Sequence, residues 1–352
     1  MMSTQPENSN TLLNRITAGW EAIMGRRWLL VVLLVAGFLL SFLIPAFNLI
    51  NPYIQLIMMY VGINIILTIS LNLVNGFMGE FSVGHAGFMA VGAYISALLT
   101  MNVIPENLAG LLFPVTVLLG GIGAALVGLI VAIPSFKTRG DYLAIVTLAF
   151  NMIVKSAIEN IDAIGGPRGI PGIDRLTNMP WVFFWTVLTI WIIRNFVYSN
   201  YGRGVLSIRE DEIASDLMSV NTRQVKLLTF MLSSFCAGIA GALFAHLLQF
   251  ISPRVFDILK STDILIMVYL GGIGSIGGSI LGATIYTVLL EVLRPLGYFR
   301  FVLMPLLLIF LMLYRPRGIM GLREFRWFIP GYELFASKVW RRQKEVSNAP
   351  SS

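Results

Sequence analysis

Long apolar runs separated by short polar gaps set the pattern of the chain. Runs at residues 28–44, 54–74, 85–100, 110–133, 142–159, 181–198, 227–249, 261–271, 277–293 and 300–314 predict ten helical segments. Most approach the length of about 20 residues that a helix needs to cross a hydrocarbon core. The eighth run is too short to cross alone and reads as a half-helix. The expected fold is an all-α integral membrane protein, a polytopic bundle of about eight to ten transmembrane segments. Glycine-rich stretches interrupt two of its apolar regions.

Composition sharpens this picture. The 352 residues are 57% hydrophobic and 12% charged, with a mean hydropathy of +0.80, a balance that excludes a soluble domain. One membrane domain, 28–314, is expected between a polar tail at 1–27 and a basic tail at 315–352. The single cysteine, Cys236, lies inside an apolar run, so neither a disulfide framework nor a thiol metal site is expected. The net charge of +7 does not imply nucleic acid, because the basic residues sit at the ends of apolar runs. Arg15, Arg26 and Arg27, then Lys137 and Arg139, then Arg203, Arg209, Arg223 and Lys226, and eight more from Arg315 to Lys344, fall on one side. Arg168, Arg175, Arg254, Lys260, Arg294 and Arg300 fall on the other. The larger set marks the inner side, which places both termini inside and reads the first helix as retained.

Two stretches of breakable backbone stand out. The first, Gly76 to Tyr94, reads GFMGEFSVGHAGFMAVGAY, and the second, Gly271 to Gly282, reads GGIGSIGGSILG. Paired interruptions in the two halves of a membrane chain point to a transport site built from discontinuous helices, and irregular backbone at membrane depth needs protein or water around it. Such breaks aim amide and carbonyl groups at a ligand, which suits an amphoteric solute. Candidates for the translocation pathway are therefore Asn72, Asn75, Gly79, Ser82, Gly84, His85, Gly87, Gly274 and Gly278. The competing reading is structural. Asn64, Asn72 and Asn75 also suit helix–helix bonding, Glu80 an interfacial position, and the glycines tight crossings. Small residues at spacing four, Gly120, Ala124 and Gly128, then Gly238 and Ala242 followed by His246, predict close helix packing. His246 fits an interhelical hydrogen bond better than a metal site, and none is expected.

The longest inner loop, 202–226, carries Ile213, Leu217 and Val220 on one helical face and Arg209, Glu210, Asp211, Glu212 and Asp216 on another. An acidic polar face suits a groove on a soluble partner better than anionic lipid. At the inner boundary RGDY, Asp141 is placed to cap the helix starting at Tyr142. The outer loop GGPRGIPGIDRL is turn-rich, equally a connector or a face for an external protein. The chain contains no G-x-x-x-x-G-K-[ST] phosphate loop, so any ATP must be bound by another polypeptide.

Five ordered pieces carry a resemblance: LNLVNGFMGEFSVGHAGFMAVGAY, RGDYLAIVTLAF with GGPRGI, SIREDEIASDLMSVNTRQVKLLTF, AGIAGALFAH with ISP, and LGGIGSIGGSILGA. Over about residues 55 to 320 the chain resembles the LivM-type permeases of ABC importers for branched-chain amino acids. The resemblance implies a non-catalytic transport subunit in a bacterial cytoplasmic (inner) membrane, moving leucine, isoleucine or valine inward. It implies a LivH-like second permease, ATP-binding subunits that hold ATP and magnesium inside, and a solute-binding protein outside, with no cofactor on this chain. The loop would be the coupling helix, with Arg209, Glu210, Asp211, Glu212, Ala214, Leu217, Ser219 and Asn221 as its contact candidates. Ser219 stands where the family's motif usually has glycine, and Ser215 where it has alanine. The alternatives are a urea or short-amide permease, and an ion-coupled transporter, for which Asn151, Lys155 and Glu159 offer a weak relay.

Overall fold

The computed structural model describes residues 27–47, 49–136, 142–314, 318–321 and 324. The proposed cap Asp141 and most of both tails lie outside the described residues. The ten apolar runs all form helices: α1 (Arg27–Ala46), α2 (Pro52–Asn72), α3 (His85–Asn102), α4 (Glu106–Ser135), α5 (Tyr142–Asn160), α6 (Met179–Tyr198), α9 (Thr222–Leu248), α10 (Ile258–Gly271), α11 (Ile276–Val292) and α12 (Arg300–Tyr314). Two short helices, α7 (Asn200–Glu210) and α8 (Glu212–Leu217), occupy the long inner loop. Among the described residues five helical stretches are long and apolar enough to cross a membrane: Pro52–Met78, Asn107–Ser135, Leu143–Asn160, Met179–Tyr198 and Thr222–Leu248.

The bundle is two sets of packed helices. α3, α4 and α9 form one, α2, α10 and α11 the other, and α2 joins them along α9. Small residues permit the close approach inside the first set, where a Cβ on Gly92 would lie 2.2 Å from the Gly238 carbonyl oxygen and one on Gly241 1.9 Å from that of Met89. The predicted stripe on α9 thus meets backbone, and its last member, His246, bonds Ser96 Oγ at 3.1 Å and the Asp174 carbonyl at 3.0 Å. It is a bridge between α9, α3 and the loop before α6.

Because α9 runs the length of the bundle, it separates two ends. One, the loop end, carries α7 and α8. The other carries a two-residue antiparallel ladder, β1 (Ile170–Pro171) on β2 (Phe250–Ile251), which ties the turn-rich outer loop to the segment after α9. Gly165 and Gly169 there have φ of 91° and 80°, backbone that only glycine adopts without strain.

At this ladder end Asp257 starts the short α10. Its Oδ1 accepts from Ile258 N at 2.7 Å, and its Oδ2 accepts from Lys155 Nζ on α5 at 3.1 Å. Those contacts, the backbone N–H first, hold the Asp257 carboxyl below the usual carboxylate range against the opposing effect of burial. Because the folded value is the lower one, the contribution is present at neutral pH and is lost as the pH falls through it. Asp257→Ala is expected to cost about 1 kcal/mol at neutral pH, as for a lost N-cap. Asp257→Asn, which keeps an acceptor, should cost less. Thermal unfolding at neutral and acidic pH checks this, since the Asp257→Ala deficit should shrink in acid.

Candidate functional site

The loop end gathers most of the candidate residues. α2 does not stop at Asn72 but widens into a π-turn, Leu73–Met78, that ends at Gly79 in the left-handed region, φ 80°. Residues 80–84 then run irregularly to α3. Asn75 closes this segment reciprocally: its Nδ2 donates to the Ser82 carbonyl at 3.3 Å and its Oδ1 accepts from Ser82 N at 3.1 Å. Val83 N donates to Thr147 Oγ1 at 3.1 Å, and His85 Nε2 shares a 2.7 Å hydrogen bond with Ser70 Oγ.

The second break faces the first. After α10 the chain turns through Gly272 and Gly274, φ 135° and 76°, and α11 begins behind the Ser275 cap, whose Oγ accepts from Gly278 N at 2.9 Å. Asn72 joins the two breaks. Its Oδ1 accepts from Gly274 N at 2.9 Å, and its Nδ2 donates to the Ser275 carbonyl at 2.9 Å and to Ser279 Oγ at 2.7 Å. Asn64, two turns earlier on α2, donates to Thr287 Oγ1 on α11 at 2.9 Å. These two amides therefore hold α2 to the second break and to α11. A strap beyond α12 adds to the junction. Ile319 N and Met320 N donate to the carbonyls of Leu270 and Gly271, each at 3.0 Å, and Glu324 accepts from the N–H groups of Ile276 and Gly277 at the start of α11. Burial raises the Glu324 carboxyl above its usual range, while those N–H groups act in the opposite direction.

Asn72, Gly274 and Gly278 thus share one cluster, whereas Gly84 and Gly87 pack elsewhere, against α5. A Cβ on Gly84 would lie 2.2 Å from the Thr147 carbonyl oxygen, and one on Gly87 3.1 Å from Asn151 Oδ1. A bulky residue at Gly84 would separate α3 from α5, so its effect would report assembly as well as transport. On α5, Lys155 is committed to Asp257. The buried amide of Asn151 has no hydrogen-bond partner among the described residues.

The inner loop corrects one expectation. It does not form one amphipathic helix: the backbone extends at Asp211, φ −161°, and divides α7 from α8. Asp211 makes the break favourable because its freed side chain caps α8, Oδ1 accepting from Ala214 N at 3.0 Å. Arg209 and Glu210 therefore belong to α7, where they form an ion pair at 2.9 Å, and Val220 lies beyond α8. Ser219 has φ 63°, the conformation that glycine would adopt freely, and Asn221 caps α9 by accepting from Gln224 N at 3.1 Å. On α8 and just after it Ile213, Leu217 and Met218 are 68%, 82% and 80% exposed, an apolar patch that no element covers among the described residues.

Lys226, in sequence one more inner-side charge, connects this helix to the first break. Its side chain is 7% exposed, and its Nζ lies 2.6 Å from Glu80 Oε1 and 2.8 Å from Glu212 Oε1. Arg209 provides a second tie, donating through Nη1 to the Gly76 carbonyl at 3.2 Å. One cation thus holds two carboxylates, one on the exposed helix and one on the irregular segment.

The family described as branched-chain amino acid transport system / permease component matches residues 53–314. The chain belongs to this family. The permease is 33% identical over 293 residues to the high-affinity branched-chain amino acid transport system permease protein LivM of Escherichia coli (strain K12), an alignment covering 73% of this chain and 68% of that one. It is 25% identical over 291 residues to the corresponding LivH protein of Salmonella typhimurium, covering 74% and 91%. Against the permease protein BraD of Pseudomonas aeruginosa, identity is 32% over 143 residues, 39% and 44% of the two chains. No solved structure matches it. The matched region of the permease contains both breaks, the Lys226 cluster and α8, and its fold is the expected all-α polytopic bundle.

Proposed function

We propose that this permease is a non-catalytic membrane subunit of an ATP-driven importer that moves leucine, isoleucine or valine inward. It would pair with a LivH-like second permease, with ATP-hydrolysing subunits docked on α8 and a solute-binding protein at the ladder end. Both termini and the loop end then face the cytoplasm in a bacterial inner membrane. The observation that carries this reading is the exposed apolar patch of Ile213, Leu217 and Met218, tied through Glu212 and Lys226 to the first break, in a chain of this family. A partner seated on that patch has a stiff ionic handle on the helix break.

Uptake into proteoliposomes holding the permease with its partner subunits tests it. Labelled leucine should accumulate only when internal ATP and external binding protein are both supplied. Uptake driven by an ion gradient without ATP would overturn the importer reading, and a preference for urea over leucine would overturn the solute class.

A further inference from the structure

A cavity of about 440 Å³ opens between α2, α10, α11 and α12, within the size range of small-molecule sites. It is formed by the start of α10, the end of α11 and the start of α12, so it occupies the half of the bundle away from α8. None of the break residues lines it, although Asn64 of α2 and its partner Thr287 of α11 do.

Its chemistry is amphoteric. Lys260 and Asp263 stand one turn apart on α10, the spacing at which side chains on a helix face the same way. Among the described residues the Lys260 ammonium forms no ion pair, and it lies 5.8 Å from the centre of the Phe244 ring. Asp263 accepts a hydrogen bond from the Tyr286 hydroxyl, which fixes the carboxylate and leaves most of its acceptor positions open. Ile57, Leu259, Leu290 and Met304 supply apolar wall. Lys260 and Asp263 act on each other as opposite charges, and an ammonium and a carboxylate on one apolar helix of a membrane bundle are rare and mark a functional site by default.

We infer that this cavity is a solute-binding station of the permease, in which Lys260 holds the carboxylate of a free amino acid, Asp263 holds its ammonium group, and the apolar wall receives an aliphatic side chain. Tyr286 is a positioning residue for Asp263. The inference rests on the importer reading and deepens it. The cavity lies toward the ladder end, where that reading delivers the solute. The lining also carries Glu291 and Arg300, and a neutral amide would bring hydrogen bonds but no charge to these groups.

The test uses the assembled transporter with Leu290→Cys in the cavity wall. The native thiol, Cys236, is fully buried and does not compete for an aqueous methanethiosulfonate reagent. Leucine should slow labelling of the new cysteine, and 4-methylpentanoate, which lacks the ammonium, should need about tenfold more solute for the same protection. Adding Lys260→Met should weaken leucine protection about tenfold and make isopentylamine, which lacks the carboxylate, as protective as leucine. Asp263→Asn should erase the difference between leucine and 4-methylpentanoate. No protection by leucine, or protection unchanged by Lys260→Met, would overturn the assignment. Leucine uptake measured on the same vesicles separates the two claims: uptake without protection removes this station and leaves the importer, whereas absence of ATP-driven uptake removes the importer. If either charge variant fails to assemble, protection in the Leu290→Cys transporter by leucine against its two analogues still decides.

Discussion

Replacing Lys226 by methionine will reduce ATP-driven uptake about a hundredfold. The side chain is 7% exposed and is the one cation held between Glu80 and Glu212. Removing it leaves two carboxylates facing each other at the edge of the bundle, where losing one member of a desolvated pair costs about 3 kcal/mol or more. The screened position of Glu212, half in solvent, places the cost at the lower end of that range. At 1.4 kcal/mol per decade, about 3 kcal/mol is two decades in the population of the linked arrangement. The expected signature is uncoupling: the ATP-binding subunits still bind and hydrolyse ATP, but leucine accumulation no longer follows.

Two companions make the result specific. Glu212→Gln keeps a hydrogen-bond acceptor and removes one charge, so uptake should fall less than in Lys226→Met. Leu217→Asp leaves the ionic cluster intact and attacks the exposed patch, so it should weaken association of the ATP-binding subunits. If Lys226→Met transports normally, the cluster is only a structural tie and the link between α8 and the first break is lost as an explanation.

Much of this architecture was legible in the sequence because burial in lipid leaves a coarse signal. All ten apolar runs became helices, and even the short run at 261–271 is a short helix, extended at its start by Asp257. What escaped was governed by single contacts between distant positions. Lys226 looked like one more inner-side charge, because nothing in its surroundings along the chain announces Glu80 146 positions away. Glu324 was missed for the same reason, and it was hidden in a tail read by its basic charge. The division of α7 from α8 had a local signal that periodicity obscured: Asp211 is a good capping residue and sits three positions before Ala214, whose N–H it accepts. Ser219 is instructive in the opposite direction. Its departure from glycine is marked only by the family resemblance, and the positive φ shows why glycine suits the position.

The second large effect concerns the junction of the two breaks. Asn72→Leu will lower the thermal stability of the permease by about 5 °C or more. Leucine is close in size but leaves the Gly274 N–H without its acceptor, while the Ser275 carbonyl keeps the Ser279 N–H and hydroxyl as donors and Ser279 Oγ loses only the amide it accepts from. A buried group orphaned in this way costs about 1–3 kcal/mol. Asn64→Leu removes one side-chain bond, to Thr287, and should cost clearly less. The fully buried Cys236 gives a built-in readout, since a thiol-reactive fluorophore reaches it only as α9 separates from its neighbours. An unfolding temperature for Asn72→Leu within about 1 °C of the unaltered chain would show that the amide is dispensable at the junction. A large loss with the order Asn72 before Asn64 would instead establish that the number of helix-break groups served by one amide sets its contribution. The two glycine-rich stretches would then act as one mechanical unit, held at Asn72 and moved from Lys226.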